Sequence, residues 1–191
     1  MPKRKRDLQL PIEGLRQQIA HLFPAQAPDR HALLAEAIGD DWSLANIQEV
    51  LNYRPWIDVT CEDLRSCGYS ELRSYLTAAG LVAYLPAMLT CGLDEFSSSN
   101  SRLCEILFQC LLPVSVEYGD VLQFFGADLI SAPVGPDAAR ILRRADYVWK
   151  NLSPEQRDCV AAFIEIVGSN ARQLSPKEAD LVNKLASYWR G

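Results

Sequence analysis

The strongest hydrophobic pattern in the chain is the stretch 74–93, SYLTAAGLVAYLPAMLTCGL, which carries no charged residue between Arg73 and Asp94. Leu81, Leu85, Met88 and Leu89 recur at i, i+4, i+7 and i+8, and Val82 and Ala83 widen the stripe. A helix that is apolar over most of its circumference belongs in a membrane or in the middle of a globular core. The length approaches the roughly 20 residues that a span requires. Against a span stand Ser74, Tyr75, Thr77, Gly80, Pro86 and Thr90, which make the stretch poorly lipophilic. The flanking amphipathic segments also need a surface to pack on. The pattern therefore predicts a buried central helix, capped by Thr77 and kinked at Pro86, where one backbone hydrogen bond is lost.

The other segments read as helices of ordinary length. Pro11 suits a first helical position, and Ile12, Leu15, Ile19, Leu22 and Phe23 follow as a helical stripe until PAQAP at 24–28 breaks it. A short helix is expected around Leu33, Leu34, Ala37 and Ile38, ending at Gly39. Ser43 is placed to cap another, with Leu44, Ile47, Val50 and Leu51 inward. Tyr53, Pro55 and Trp56 suggest a connection with buried rings. Thr60 with Asp63 three residues on is a helix start of capping-box type, and Cys67-Gly68 a stop. DEFSSSN at 94–100 reads as a polar loop, and 101–112 as a helix with Leu103, Leu107, Cys110 and Leu111 on one face.

Residues 113–136 are ambiguous: 116–118 and 121–125 read either as short strands or as a broken helix. The helix expected at 136–150 turns Ala138, Ile141, Leu142, Ala145, Val148 and Trp149 inward, with Arg140, Arg143, Arg144 and Lys150 off the stripe. Ser153-Pro154-Glu155-Gln156 and Ser175-Pro176-Lys177-Glu178 are two helix starts built alike. The first helix carries Val160, Phe163, Ile164 and Val167, with a stop at Gly168. The second carries Leu181, Leu185 and Tyr188, flanked by Val182 and Trp189. Together they suggest an antiparallel pair. The expected fold is all-α: one compact multi-helix bundle around the proline-kinked helix, with a flexible basic tail at 1–9, one helical domain over 10–191, and 113–150 as an insertion within it.

Composition narrows the picture. With 191 residues, 49% hydrophobic and 23% charged, the chain can bury a sizeable core without staples. The net charge of −5 argues against nonspecific nucleic-acid binding and suits a basic partner. The basic run KRKR at 3–6 reads as a solvated tail. Six cysteines, at 61, 67, 91, 104, 110 and 159, form no C-x-x-C pair. They are expected as reduced thiols in a cytoplasmic protein.

At Tyr84-Leu85-Pro86-Ala87, and again at Leu152-Ser153-Pro154-Glu155-Gln156, the chain resembles a bacterial family of small helical domains of unknown function. In that family an aromatic-Leu-Pro-Ala helix is followed by one opening in L-S-P-E-Q. The likeness extends loosely over residues 10–168, and 113–150 departs from it. It implies a cytoplasmic α-helical domain and no reaction. Small proteins of this kind often resemble immunity or antitoxin partners of toxins.

Catalytic signatures are absent from the sequence. There are two histidines, His21 and His31, with no H-E-x-x-H, no Cys/His cluster and no glycine-rich phosphate loop. No catalytic residue, metal ligand or cofactor is therefore expected. The candidate site is the acidic and aromatic group Asp40, Asp41, Trp42, Tyr53, Trp56, Asp58, Glu62 and Asp63. One reading makes the rings core and the acids solvated; the other makes them a binding face in which rings anchor and carboxylates steer a basic partner. The expectation is a noncatalytic domain that covers the active site of a basic-surfaced toxin or effector protein, with no membrane association. The alternatives are an enzyme with a dispersed carboxylate and histidine site, and a self-associating adaptor.

Overall fold

The computed structural model describes residues 3–29, 42–97, 102–111, 136–171 and 176–191. Among them are nine α-helices and no sheet: α1 (Lys3–Leu22), α2 (Trp42–Leu51), α3 (Cys61–Cys67), α4 (Tyr69–Tyr75), α5 (Ala78–Ser97), α6 (Arg102–Cys110), α7 (Pro136–Asn151), α8 (Pro154–Ala171) and α9 (Pro176–Arg190). A single 3-10 turn, Trp56–Asp58, joins α2 to α3. The short helix expected near 33–38 and the ambiguous 113–135 lie outside the described residues.

The all-α bundle is as expected, and α5 is its centre. It packs against α1, α3, the 3-10 turn, α6, α7 and α8. Leu81, Tyr84, Leu85, Ala87, Met88, Leu89, Cys91 and Leu93 are all buried. Thr77 caps the helix as expected: Gly80 N–H donates to its Oγ1 at 3.0 Å. Pro86 sits inside the helix, and its carbonyl accepts from the Thr90 hydroxyl at 2.8 Å. No helix of the described residues is long and apolar enough to cross a membrane.

Around this rod the remaining stripes close the core. Ile12, Leu15, Ile19 and Phe23 of the α1 segment are buried, as are Leu103, Leu107, Cys110 and Leu111 at α6. α8 and α9 form the hairpin the paired helix starts imply. Ser153 and Gln156 make reciprocal capping bonds at 2.9 and 3.3 Å, and Glu165 is paired with Arg190. Trp189 is fully buried, and its Nε1–H donates to the Leu111 carbonyl at 3.1 Å.

Several boundaries differ from the sequence reading, the first for a local reason and the others for tertiary ones. α1 begins at Lys3 rather than Pro11, so the basic residues expected in a flexible tail are helical. Lys, Arg, Gln and Leu are good helix formers, and only one backbone bond is forgone at Pro11. Gly168 does not end α8. It lies inside the helix because Val182 crosses there, where an added Cβ would sit 2.6 Å from a Val182 methyl.

α5 likewise runs on to Ser97 instead of yielding to a loop at Asp94. Glu95, 2% exposed, accepts from the Tyr69 hydroxyl. It also accepts from the Leu103 amide at 3.3 Å and lies 3.4 Å from Arg65 Nε. Arg144, expected off the inward stripe of α7, is 3% exposed. Its guanidinium donates to the carbonyls of Arg73 and Ser74, closing the C-terminal end of α4.

The cysteines divide. Cys67, Cys104, Cys110 and Cys159 are free and buried, as expected of small hydrophobes. Cys61 and Cys91 are instead joined as a disulfide, with Cα atoms 5.3 Å apart and a sequence separation of 30. No local spacing announces the pair, because α3 and α5 meet only through the fold.

Candidate functional site

The candidate residues come from α2, the 3-10 turn and the start of α3, which make one corner of the bundle. The chain turns there through two successive residues with left-handed backbone, Asn52 (φ 43°) and Tyr53 (φ 53°). Such angles are uncommon outside glycine and cost of order 1–3 kcal/mol each, so the surroundings must hold them. Arg54 does much of that work. Its guanidinium donates to the carbonyls of Leu51 at 3.3 Å, Val50 at 2.7 Å and Asp58 at 3.1 Å. It also lies 3.0 Å from the Asp63 carboxylate. One side chain thus ties the end of α2, the 3-10 turn and the start of α3 together.

The expected helix start at Thr60 is present in full. Asp63 N–H donates to Thr60 Oγ1 at 3.1 Å, and Thr60 N–H donates to Asp63 Oδ2 at 2.8 Å. Burial pushes the Asp63 carboxyl up. The hydrogen bonds from Thr60 and the neighbouring Arg54 charge outweigh that, and its pKa ends below the ordinary value.

The corner resolves both readings of the aromatic and acidic group, residue by residue. Trp56 is core, 7% exposed, with its Nε1–H donating to the Pro24 carbonyl at 3.1 Å. Tyr53 is half-buried and packs against the core. Asp63 is a helix cap, and Glu62 pairs with Arg65 at 2.8 Å. Trp42 is 79% exposed at the start of α2. Asp58 is exposed, with no ion-pair partner among the described residues. Asp40 and Asp41 lie outside the described residues.

One surface residue escaped the sequence reading: Ile57, 58% exposed in the middle of the 3-10 turn. Its only signal was an apolar residue beside Trp56 that belongs to no helical stripe. Trp42 is the first residue of α2, a ten-residue helix about 15 Å long at 1.5 Å per residue, and Ile57 lies in the 3-10 turn that follows its other end. Glu49, also exposed, lies between them in sequence. Exposed apolar anchors with nearby carboxylates are suited to burying a partner's surface.

Elsewhere, His21 is exposed near the end of α1, and His31 lies outside the described residues. Among the described residues no group of three or more His, Cys, Asp or Glu could hold a metal ion. Tyr84, at the heart of α5, has its hydroxyl buried without a hydrogen-bond partner among the described residues. Burial raises its pKa to about 12.

The class that fold and corner define is an all-α bundle with a rigidly built acidic and aromatic corner. No family model, no curated protein and no solved structure matches the chain.

Proposed function

We propose that the chain is a noncatalytic protein-binding domain, an immunity or antitoxin protein that neutralises a basic-surfaced bacterial toxin by covering its active site. The observation that carries this reading is the placement of Trp42 and Ile57. Two large apolar side chains stand in solvent at 79% and 58% exposure, Trp42 at the start of α2 and Ile57 in the turn that Arg54 and the Thr60–Asp63 cap hold in place. Large apolar side chains with few rotatable bonds lose little conformational entropy on binding, which is what an interface anchor requires. The net charge of −5 favours encounter with a basic cleft.

The test is co-expression with the product of the adjacent gene. A stable complex and rescue from toxicity are expected, and Trp42→Ala or Ile57→Ala should each weaken binding about tenfold or more, as loss of an anchor does. Failure to bind or protect, or full protection by the double variant, overturns the reading.

A further inference from the structure

We propose that Cys61 and Cys91 are a reversible thiol–disulfide latch that fixes the α2–α3 corner to the central helix. Its biological consequence rests on the binding role given to that corner; its chemistry does not. Cys61 is the first residue of α3 and is half-buried, whereas Cys91 is buried within α5. Their Cα separation of 5.3 Å lies inside the range that a disulfide spans without moving the backbone. An outside thiol therefore reaches the sulfur of Cys61 more readily than that of Cys91.

The reductant is a low-molecular-weight thiol of the glutathione class. Its thiolate attacks the Cys61 sulfur, the bond to Cys91 breaks, and Cys91 leaves as a thiolate and takes a proton. A second thiolate then attacks the outer sulfur of the mixed disulfide and releases Cys61, which takes a proton in turn. Two small thiols become one small disulfide, and the protein gains two protons and two electrons. The reverse reaction, with the small disulfide as oxidant, closes the latch.

The reduced state has a partner in place. Asp94 Oδ2 lies 3.6 Å from Cys61 Sγ, where it can accept a hydrogen bond from the thiol, and Arg16 of α1 pairs with Asp94. The other four thiols do not compete. All are buried, and burial pushes Cys67 up to about 12 and Cys110 and Cys159 up to about 11. Thiols so protonated are poor nucleophiles. With the latch open, the corner depends on the Arg54 bonds and on the Trp56–Pro24 bond.

The experiment equilibrates the purified full chain in buffers of varied reduced-to-oxidised glutathione ratio. The quenched protein is denatured and alkylated, and modified cysteines are counted by intact mass. Four alkylated cysteines are expected at the oxidised end and six at the reduced end, with the helical circular dichroism unchanged. Amide exchange over residues 56–67 should speed up about tenfold or more on reduction, while α8 and α9 stay as they were. Cys61→Ser should exchange like the reduced protein in both buffers. If that variant does not fold, the wild-type comparison alone decides.

Six alkylated cysteines at every ratio, four at every ratio, or equal exchange over 56–67 in both states would each overturn the latch. No partner enters these measurements, so failure of the latch leaves the binding role standing. Failure of the toxin test likewise leaves the latch standing.

Discussion

The α8–α9 hairpin and the α2–α3 corner are held by different physics. In the hairpin, Val160, Phe163, Ile164, Val167, Val182, Leu185 and Trp189 are all buried to 2% exposure or less, and stability is spread over close-packed area. In the corner, one arginine and one capping box hold two left-handed residues and the chain around them through a few directional bonds. The comparison teaches where damage should spread. Loss of packing lowers the stability of the whole bundle, whereas loss of a corner bond should move the corner and leave the bundle intact.

The sharpest test lies in the hairpin. Trp189→Ala removes a fully buried indole and its bond to the Leu111 carbonyl. Replacing a buried aromatic by alanine costs about 3–5 kcal/mol, so urea unfolding should show a midpoint lowered accordingly, or a chain that no longer folds. Gly168→Ala comes next. Its Cβ would meet Val182 methyl carbons at 2.6 and 2.9 Å, and overpacking of this kind costs about 1–3 kcal/mol. A midpoint equal to wild type would show that Val182 yields to the added methyl group without cost.

The corner should respond more weakly. Thr60→Ala removes the side-chain half of the capping box and is expected to cost about 1 kcal/mol. Asp63 supplies the pH dependence. Because its folded pKa is depressed, its contribution is fully present above the unfolded value and fades as pH falls through the folded one. Asp63→Asn should therefore flatten the acid limb of the stability curve below about pH 4. An unchanged slope there would show that the cap contributes nothing through its charge. The smallest effect is expected from Trp42→Ala, whose stability should stay within about 0.5 kcal/mol of wild type because the ring is already in solvent. A large loss would make Trp42 a packing residue and remove it from the candidate face.

Much of the fold was legible because its signals are local. The uncharged stretch 74–93 marks the centre, and the 3.6-residue stripes of α1, α6, α8 and α9 mark their inner faces. The starts at Thr60, Thr77 and Ser153 each show the expected capping bonds. The candidate site was only half legible. The rings were found and Trp56 was expected to be buried, as it is, but no local signal showed that Trp42 points outward. Nor could it show that Glu62 and Asp63 are bonded to neighbouring arginines.

The sequence by itself determined most of the helices and their apolar faces, because periodicity and capping act over four residues or fewer. Only the tertiary structure decided the contacts between residues far apart in the chain. Those contacts bury Glu95 and Arg144 as capping groups, keep Gly168 inside its helix beneath Val182, and join Cys61 to Cys91. They also leave Trp42 and Ile57 in water. The physical reason is that burial belongs to the packed bundle rather than to any one segment, and no local pattern encodes which face a neighbouring helix will cover.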